Sequence, residues 1–461
     1  MNHVKTTIAG VAGAVAMSLL SSNAIALPVG TVIDAAHTIN FSGASAQKDT
    51  VKALFGNTFC DRGTGAGTAS DTIDVFNTTP TGFVLTCTLK TSAVEPKIPA
   101  AFSGSNIRFR YRTAGGSIYG VNPVARQELV TIGTEDATCV ADANLDSNTG
   151  SRSFSGCTGT VSIAPDAGAS DVEIDLFNGV NLPTAVAGDP ESPWSGLTAV
   201  EKANLDAQKA YGVVFAIAVN NGVNVAGNSL SYQSIQQIFS GQWYLWDQVP
   251  EVYQGGAGTT GNITVCRRTA GSGTQAFAQV HFLREGLVPA DPNVKSFVKA
   301  PSGPLGNLVQ EIESSSTILR SCVDTDPLAI GISSIEKPAG IAKPPLGTGY
   351  GTNWRYVSID GVPPTQEQAA LGHYRYWVEN SFNIYSGTGS DANKVAFLQN
   401  IRTDAQNYLT LNAAGLAGVL AIPNTTTNQP DPTFSSTYDP TRPINYCTRN
   451  GHAGAIPSCL N

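Results

Sequence analysis

The chain has 461 residues, a formal net charge of −8 and a hydrophobic share of 41%, enough apolar side chains for packed cores, so global disorder is excluded. Charged residues make up only 13%, and no run of Lys or Arg offsets the acidic balance, which argues against nucleic acid as a partner. A small anion is not excluded, because its site needs only local donors, which backbone N–H groups supply.

Lys5, an apolar run from Ile8 to Leu20 and Ala24-Ile25-Ala26 follow one another at the start of the chain. This is the order of a secretory signal peptide over residues 1–26. The run is shorter than the roughly 20 apolar residues of a membrane span, so a retained N-terminal anchor is the weaker alternative. No Cys follows the cleavage site. A chain starting near Leu27, without a lipid anchor, is therefore expected in the periplasm or secreted. Its length suits two or three lobes.

In chain order, Thr38–Ala46 alternates as a strand and ends in a small-residue turn, and Gln47–Leu54 has helical composition. Residues 57–90 are rich in Gly and Thr around two Cys and suggest a decorated loop or small hairpin. Asn106–Arg112 alternates cleanly as a strand and runs into Thr113–Ser117. Residues 131–160 hold a Cys pair and much Asp, Asn, Ser and Gly, which marks an insertion. Val161–Ala164 predicts a short strand ahead of Asp166–Asp171, and Leu197–Ala210 has helical composition. Tyr211–Asn220 is an unbroken apolar run of strand length, which predicts a strand buried on both faces. Ser231–Phe239 and Gln275–Leu283 read as helices, Asn262–Arg267 and Ala329–Ser333 as strands. Asp391–Leu409 is the clearest helix, with Asp391 as its cap and Val395, Leu398, Ile401 and Ala405 on one face. The tail after Ile422 is rich in Pro, Thr and Asn and reads as irregular. Strands alternating with helices predict an α/β fold with mixed, mostly parallel sheets.

The eight cysteines are Cys60, Cys87, Cys139, Cys157, Cys266, Cys322, Cys447 and Cys459. An even count behind an export signal reads as disulfides. Sequence does not fix the pairing; the simplest pairs near neighbours, Cys60–Cys87, Cys139–Cys157, Cys266–Cys322 and Cys447–Cys459. No CxxC or CxxH pair exists and the five His are scattered, so neither a metal site nor a cofactor is expected.

Three strand ends lead into small turns bearing hydroxyls: Ser42-Gly43-Ala44-Ser45, Ala114-Gly115-Gly116-Ser117 and Gly271-Ser272-Gly273-Thr274. Glycine lets the backbone approach a ligand, and a following helix offers free N–H groups. Arg268, upstream of the third turn, brings a planar fork of donors suited to an oxyanion. Each turn alone also fits a plain capped helix. Three on one chain, at strand ends where open α/β folds bind ligands, favour an anion site.

Arg267-Arg268-Thr269-Ala270-Gly271-Ser272-Gly273-Thr274 resembles the RRxxGSGT segment of periplasmic phosphate-binding proteins, the capture subunits of phosphate ABC importers. Phe41–Ala46, Tyr111–Gly120, Gly168–Asp171, Ser234–Val249, Ile330–Ile332 and Gly361–Trp377 resemble further segments of that family in the same order. The resemblance implies a two-lobed periplasmic-binding-protein type II fold that closes on its ligand. Residues 27–210 would form the first lobe, with insertions near 57–90 and 121–160. Residues 211–335 would form the second, and 336–461 would return to the first and end in a disulfide-tied tail. The implied phosphate ligands are Ala44, Ser45, Ser117, Asp171, Arg268, Ser272, Gly273 and Thr274. The implied partner is the membrane part of an ABC importer, and the implied state a monomer.

Two positions depart from the pattern. Ala270 stands where close relatives carry the Asp that fixes the binding Arg, and Ala46 stands where a hydroxyl-bearing Thr is common. Insertions and tail leave room for an adhesin, matrix or scaffolding role that reuses the fold. A secreted phosphatase is the weakest reading, since no GxSxG, HExxH or assembled nucleophile–base pair is present and no catalytic residue is expected. His281, Trp243 and Trp246 read as packing residues.

Overall fold

The computed structural model describes residues 32–63, 72–79, 82–183, 195–253, 261–285, 295–298, 308–312, 316–335, 353–407, 410–411, 418–420, 447–448 and 458–459. The predicted signal peptide, residues 1–26, lies outside them. Among the described residues no helix is long and apolar enough to cross a membrane.

The chain opens with β1 (Thr38–Gly43), buried along its whole length, and α1 (Lys48–Thr58). The hairpin β2 (Asp74–Thr78) and β3 (Gly82–Thr88) follows, then β4 (Asn106–Arg112) and the short α2 (Asn122–Arg126). Next come β5 (Val130–Thr134), β6 (Val140–Ala141), β7 (Arg152–Cys157), β8 (Gly159–Ile163) and β9 (Ala167–Ser170). A one-turn α3 (Ala199–Lys202) leads into β10 (Leu205–Asn220), sixteen residues long. Beyond it lie β11 (Ser229–Leu230), α4 (Tyr232–Phe239), β12 (Thr264–Arg268) and α5 (Gly273–Ala278). Then come β13 (Leu308–Ile312), α6 (Ser316–Thr325), β14 (Ala329–Ser334) and β15 (Trp354–Ile359). The chain closes with α7 (Gln366–Ala370), β16 (Trp377–Tyr385), α8 (Ala392–Gln406), β17 (Val419–Leu420), β18 (Cys447–Thr448) and β19 (Ser458–Cys459).

The fold is α/β and two-lobed. In the first lobe β1 runs parallel to both β4 and β9. In the second, β12 runs parallel to β13 and β14. Two long strands carry the chain between the lobes. The first part of β10 pairs antiparallel with β16, and β16 pairs in turn with β9. The last part of β10 pairs with β14 and β15. Among the described residues fifteen strands join into one network across this crossover. The turns that follow the carboxyl ends of β4 and β12 are in contact, since Ile118 N–H donates to Gly271 O.

The segment around 57–90 is a hairpin that widens the first lobe's sheet: β3 pairs with β4, β2 with β3, β7 with β2 and β6 with β7. The Leu197–Ala210 stretch corrects the helical expectation, since it holds one helical turn and the start of β10. Leu205–Lys209 lies against Tyr385–Ser381 across the ladder. Asp166–Asp171, left without an assigned element in the sequence, contains a central strand, β9. β15, which falls in the 336–461 segment assigned from sequence to the first lobe, pairs with β10 and β11 on the second-lobe side. Trp246 is fully buried, and His281 sits among the rings of Tyr232, Phe277, Phe282 and Tyr376.

Three of the four expected disulfides form, Cys60–Cys87, Cys139–Cys157 and Cys266–Cys322. The first two staple the widened sheet and the third ties β12 to α6. Cys447 and Cys459 stand opposite each other in the β18–β19 ladder, and their side chains lie outside the described residues. Thiol titration of the denatured, unreduced protein is expected to give close to zero. Several reactive thiols would contradict the framework. Breaking one bridge is expected to cost about 2–4 kcal/mol of stability.

Candidate anion-binding site

The second turn begins where β4 ends. Gly116, at a φ of 83°, has left-handed backbone, and a Cβ there would stand 3.2 Å from Gly271 O and Ser272 Cα of the third turn. Glycine thus lets the two turns touch, and Ile118 N–H donates to Gly271 O at 2.9 Å. Ser117 follows, almost fully buried.

The third turn is shaped by the start of α5. Ser272 has extended backbone and accepts from Gln275 N–H at 3.4 Å, an ordinary N-cap. Gly273 comes next. A Cβ at Gly273 would lie 2.5 Å from Ser117 Oγ and 2.8 Å from Asp171 Cβ. Gly273→Ala is therefore expected to force the two lobes apart. The strain should lower stability by about 1–3 kcal/mol, read by thermal melting. An unchanged melt and unchanged ligand binding would contradict this packing.

Asp171 is where the elements converge. It is 2% exposed, one residue beyond β9. Ser117 Oγ and Thr274 Oγ1 each donate to its Oδ2 at 3.2 Å, and Gln47 Nε2 reaches its Oδ1 at 3.4 Å. Its own N–H donates to Ser117 Oγ at 3.3 Å. Burial pushes the carboxyl above its usual range, opposed by Gln47, the Arg268 charge, Thr274 and Ser117. Arg268, also 2% exposed, is brought down to about 10 by burial, with Asp171 opposing the fall. A buried cation, a buried carboxylate and two hydroxyls from opposite lobes therefore share one small volume.

Arg267 turns the other way, as strand alternation requires. Its guanidinium donates to Val298 O at 2.8 Å and lies 5.1 Å from the Phe297 ring.

Of the residues expected at the site, Ser117, Asp171, Gly273 and Thr274 are in direct contact. Arg268 acts on Asp171 through its charge, and Ser272 caps the helix that presents Gly273 and Thr274. Ala44 and Ser45 are placed differently. Ala44 N–H already donates to Ala169 O at 2.8 Å, and Ser45 is half-buried at the head of a 3-10 turn, Ser45–Gln47. From the first turn it is the side chain of Gln47 that reaches Asp171. Three further residues escaped the sequence reading. Gln47 is fully buried, and the Tyr211 hydroxyl donates to its Oε1 at 3.2 Å. Gln275 Oε1 accepts from Arg268 N–H at 3.1 Å, while its buried Nε2 has no partner among the described residues. A Gln just after the first and third hydroxyl-bearing turns was the signal available for Gln47 and Gln275.

The family model of the PBP superfamily domain matches residues 202–437, just over half of the chain. No curated protein matches. Among solved structures, the chain is similar to a putative phosphate ABC transporter substrate-binding protein with bound phosphate from Clostridium perfringens, at 13% identity and a TM-score of 0.41, covering 83% of this chain and 99% of that one. It is also similar to a phosphate-binding protein from Stenotrophomonas maltophilia, at 16% identity and a TM-score of 0.41, covering 82% and 90%. A third similar structure is PstS from Borrelia burgdorferi, at 10% identity and a TM-score of 0.36, covering 83% and 98%. With its second lobe, its crossover strands and its C-terminal return inside the matched segment, the chain belongs to the PBP superfamily.

Proposed function

We propose that this chain captures inorganic phosphate between its lobes and delivers it to an ABC importer. The observation that carries the reading is the company kept by Asp171. A buried carboxylate, an acceptor when ionised, lies beside a buried Arg268 and the hydroxyls of Ser117 and Thr274. Such a mixed set suits a tetrahedral anion that still carries a proton, because the carboxylate takes the ligand's hydrogen bond while the other groups donate. The sequence resemblance to phosphate-capture subunits points the same way. Calorimetric titration of the exported form with phosphate and with sulfate tests it: tight phosphate binding and no sulfate binding at neutral pH is the expected result. A chain that binds neither would favour a scaffolding role, for which the widened, disulfide-stapled sheet offers surface.

A further inference from the structure

Asn380 lies in the middle of β16 and is fully buried, yet among the described residues neither its Oδ1 nor its Nδ2 has a hydrogen-bond partner. A buried amide left so is costly, and natural folds keep one where it has another task. Its position in the ladder suggests the task. Across β10, Lys209 pairs with Ser381 and Gly212 with Glu379, so Ala210 and Tyr211 together face the single residue Asn380. This is a β-bulge, a device that re-aims side chains beside binding sites. On the other edge Ser381 pairs with Ser170, and one step further along that antiparallel ladder sets Asn380 across from Asp171. Asn380 also shares a face with Phe382, two residues on, which packs on Phe41 and Tyr211. Tyr211 and Gln47 then link that face to Asp171 by hydrogen bonds.

The geometry points to Asn380 as a further ligand-contacting residue of the anion site, its amide N–H donating to an oxygen of the bound oxyanion beside Asp171. The assignment rests on the phosphate reading above. An amide is neutral, so it adds a donor without cancelling the charge of Asp171, and it binds the crossover itself to the ligand. Its orphaned atoms cost the unliganded protein stability that the ligand restores.

This predicts a split that a merely structural residue would not give. Asn380→Leu removes the unsatisfied atoms at similar volume. It is expected to leave the melting temperature of the phosphate-free protein unchanged or raised by about 1–3 °C. The same change is expected to weaken phosphate binding about tenfold or more in calorimetry. Asn380→Asp, which sets a second carboxylate against the anion, is expected to weaken it further. Should the leucine variant fail to fold, Asn380→Ser is measured in its place, with the same expected loss. Phosphate affinity within about twofold of wild type in the Leu or Ser variant, or wild-type affinity in Asn380→Asp, overturns the assignment alone. A wild-type chain that does not bind phosphate overturns the phosphate reading and this assignment together.

Discussion

Replacing Arg268 by Ala is expected to weaken phosphate binding by more than about 1.5–3 kcal/mol, roughly a 10- to 150-fold loss, the largest effect of any single donor. Arg268 ends β12 immediately before the turn whose hydroxyls meet Asp171, and it is buried with its charge felt at that carboxylate. Removing it leaves the anion's oxygen desolvated and facing no cation, so the loss exceeds that of one charged hydrogen bond. The matched control is Arg267, equally buried but committed to Val298 O and the Phe297 ring. Arg267→Ala is expected to lower the melting temperature while leaving phosphate affinity within about twofold. Calorimetry on both variants decides the register: a larger affinity loss at Arg267 would assign the ligand to the wrong arginine. Position 270 is Ala, and the backbone N–H of Arg268 donates to Gln275 Oε1.

The strands that feed the site were legible because their signals are local. Asn106–Arg112 alternates, and Tyr211–Asn220 is apolar enough to need cover on both faces; both are strands as read. β9 was not legible: Ala167–Ser170 has no β-branched or aromatic side chain, and its place in the sheet is set by β1 and β16. Leu205–Ala210 misled in the opposite sense, since its polar and small residues have helical composition. The partner strand β16 overrides that preference.

The site divides along the same line. Ser117, Asp171, Gly273 and Thr274 could be named because each sits in a turn whose small residues announce close approach. Tyr211 and Asn380 could not, because nothing in their neighbourhoods marks them, and Gln47 was marked only by its place just after the first turn. Gln47 opens a helix, Tyr211 starts an apolar run, and Asn380 lies within Trp377–Tyr385, whose polar residues hide a buried strand. What unites them is pairing between segments more than a hundred residues apart, a property of the fold and not of any window. Ala44 and Ser45 illustrate the converse. The turn was located correctly, but Ala44 N–H is taken by Ala169 O, so the side chain reaching Asp171 comes from two residues beyond Ser45.

Discrimination between phosphate and sulfate is expected to depend on Asp171 and on pH. Near neutral pH phosphate keeps at least one proton and can donate to a carboxylate, whereas sulfate has none to give. Sulfate in this site would press a bare oxygen against a buried, ionised carboxylate, a penalty of about 3–5 kcal/mol. That makes sulfate more than about a hundredfold weaker at neutral pH. Asp171→Asn offers an N–H donor in the same place, and it is expected to erase most of the preference by letting sulfate in. The pH dependence follows from burial, which raises the Asp171 carboxyl above its ordinary value of 3.8. The unliganded native state then holds this proton more tightly than the unfolded chain. Ionising Asp171 therefore costs stability as pH rises through the folded value, and that cost is relieved as pH falls. Once protonated, Asp171 becomes a donor. Sulfate binding by the wild-type protein is thus expected to strengthen on acidification, in the window from neutral pH down to the raised folded value, and to level off below it. The Asn variant, which has no such proton to gain, should bind sulfate with little change across that window. Titrations with both anions at neutral and at mildly acid pH, on both proteins, provide the test. Equal sulfate binding by the wild-type protein at neutral pH, or selectivity unchanged in Asp171→Asn, would remove Asp171 from the role given to it here.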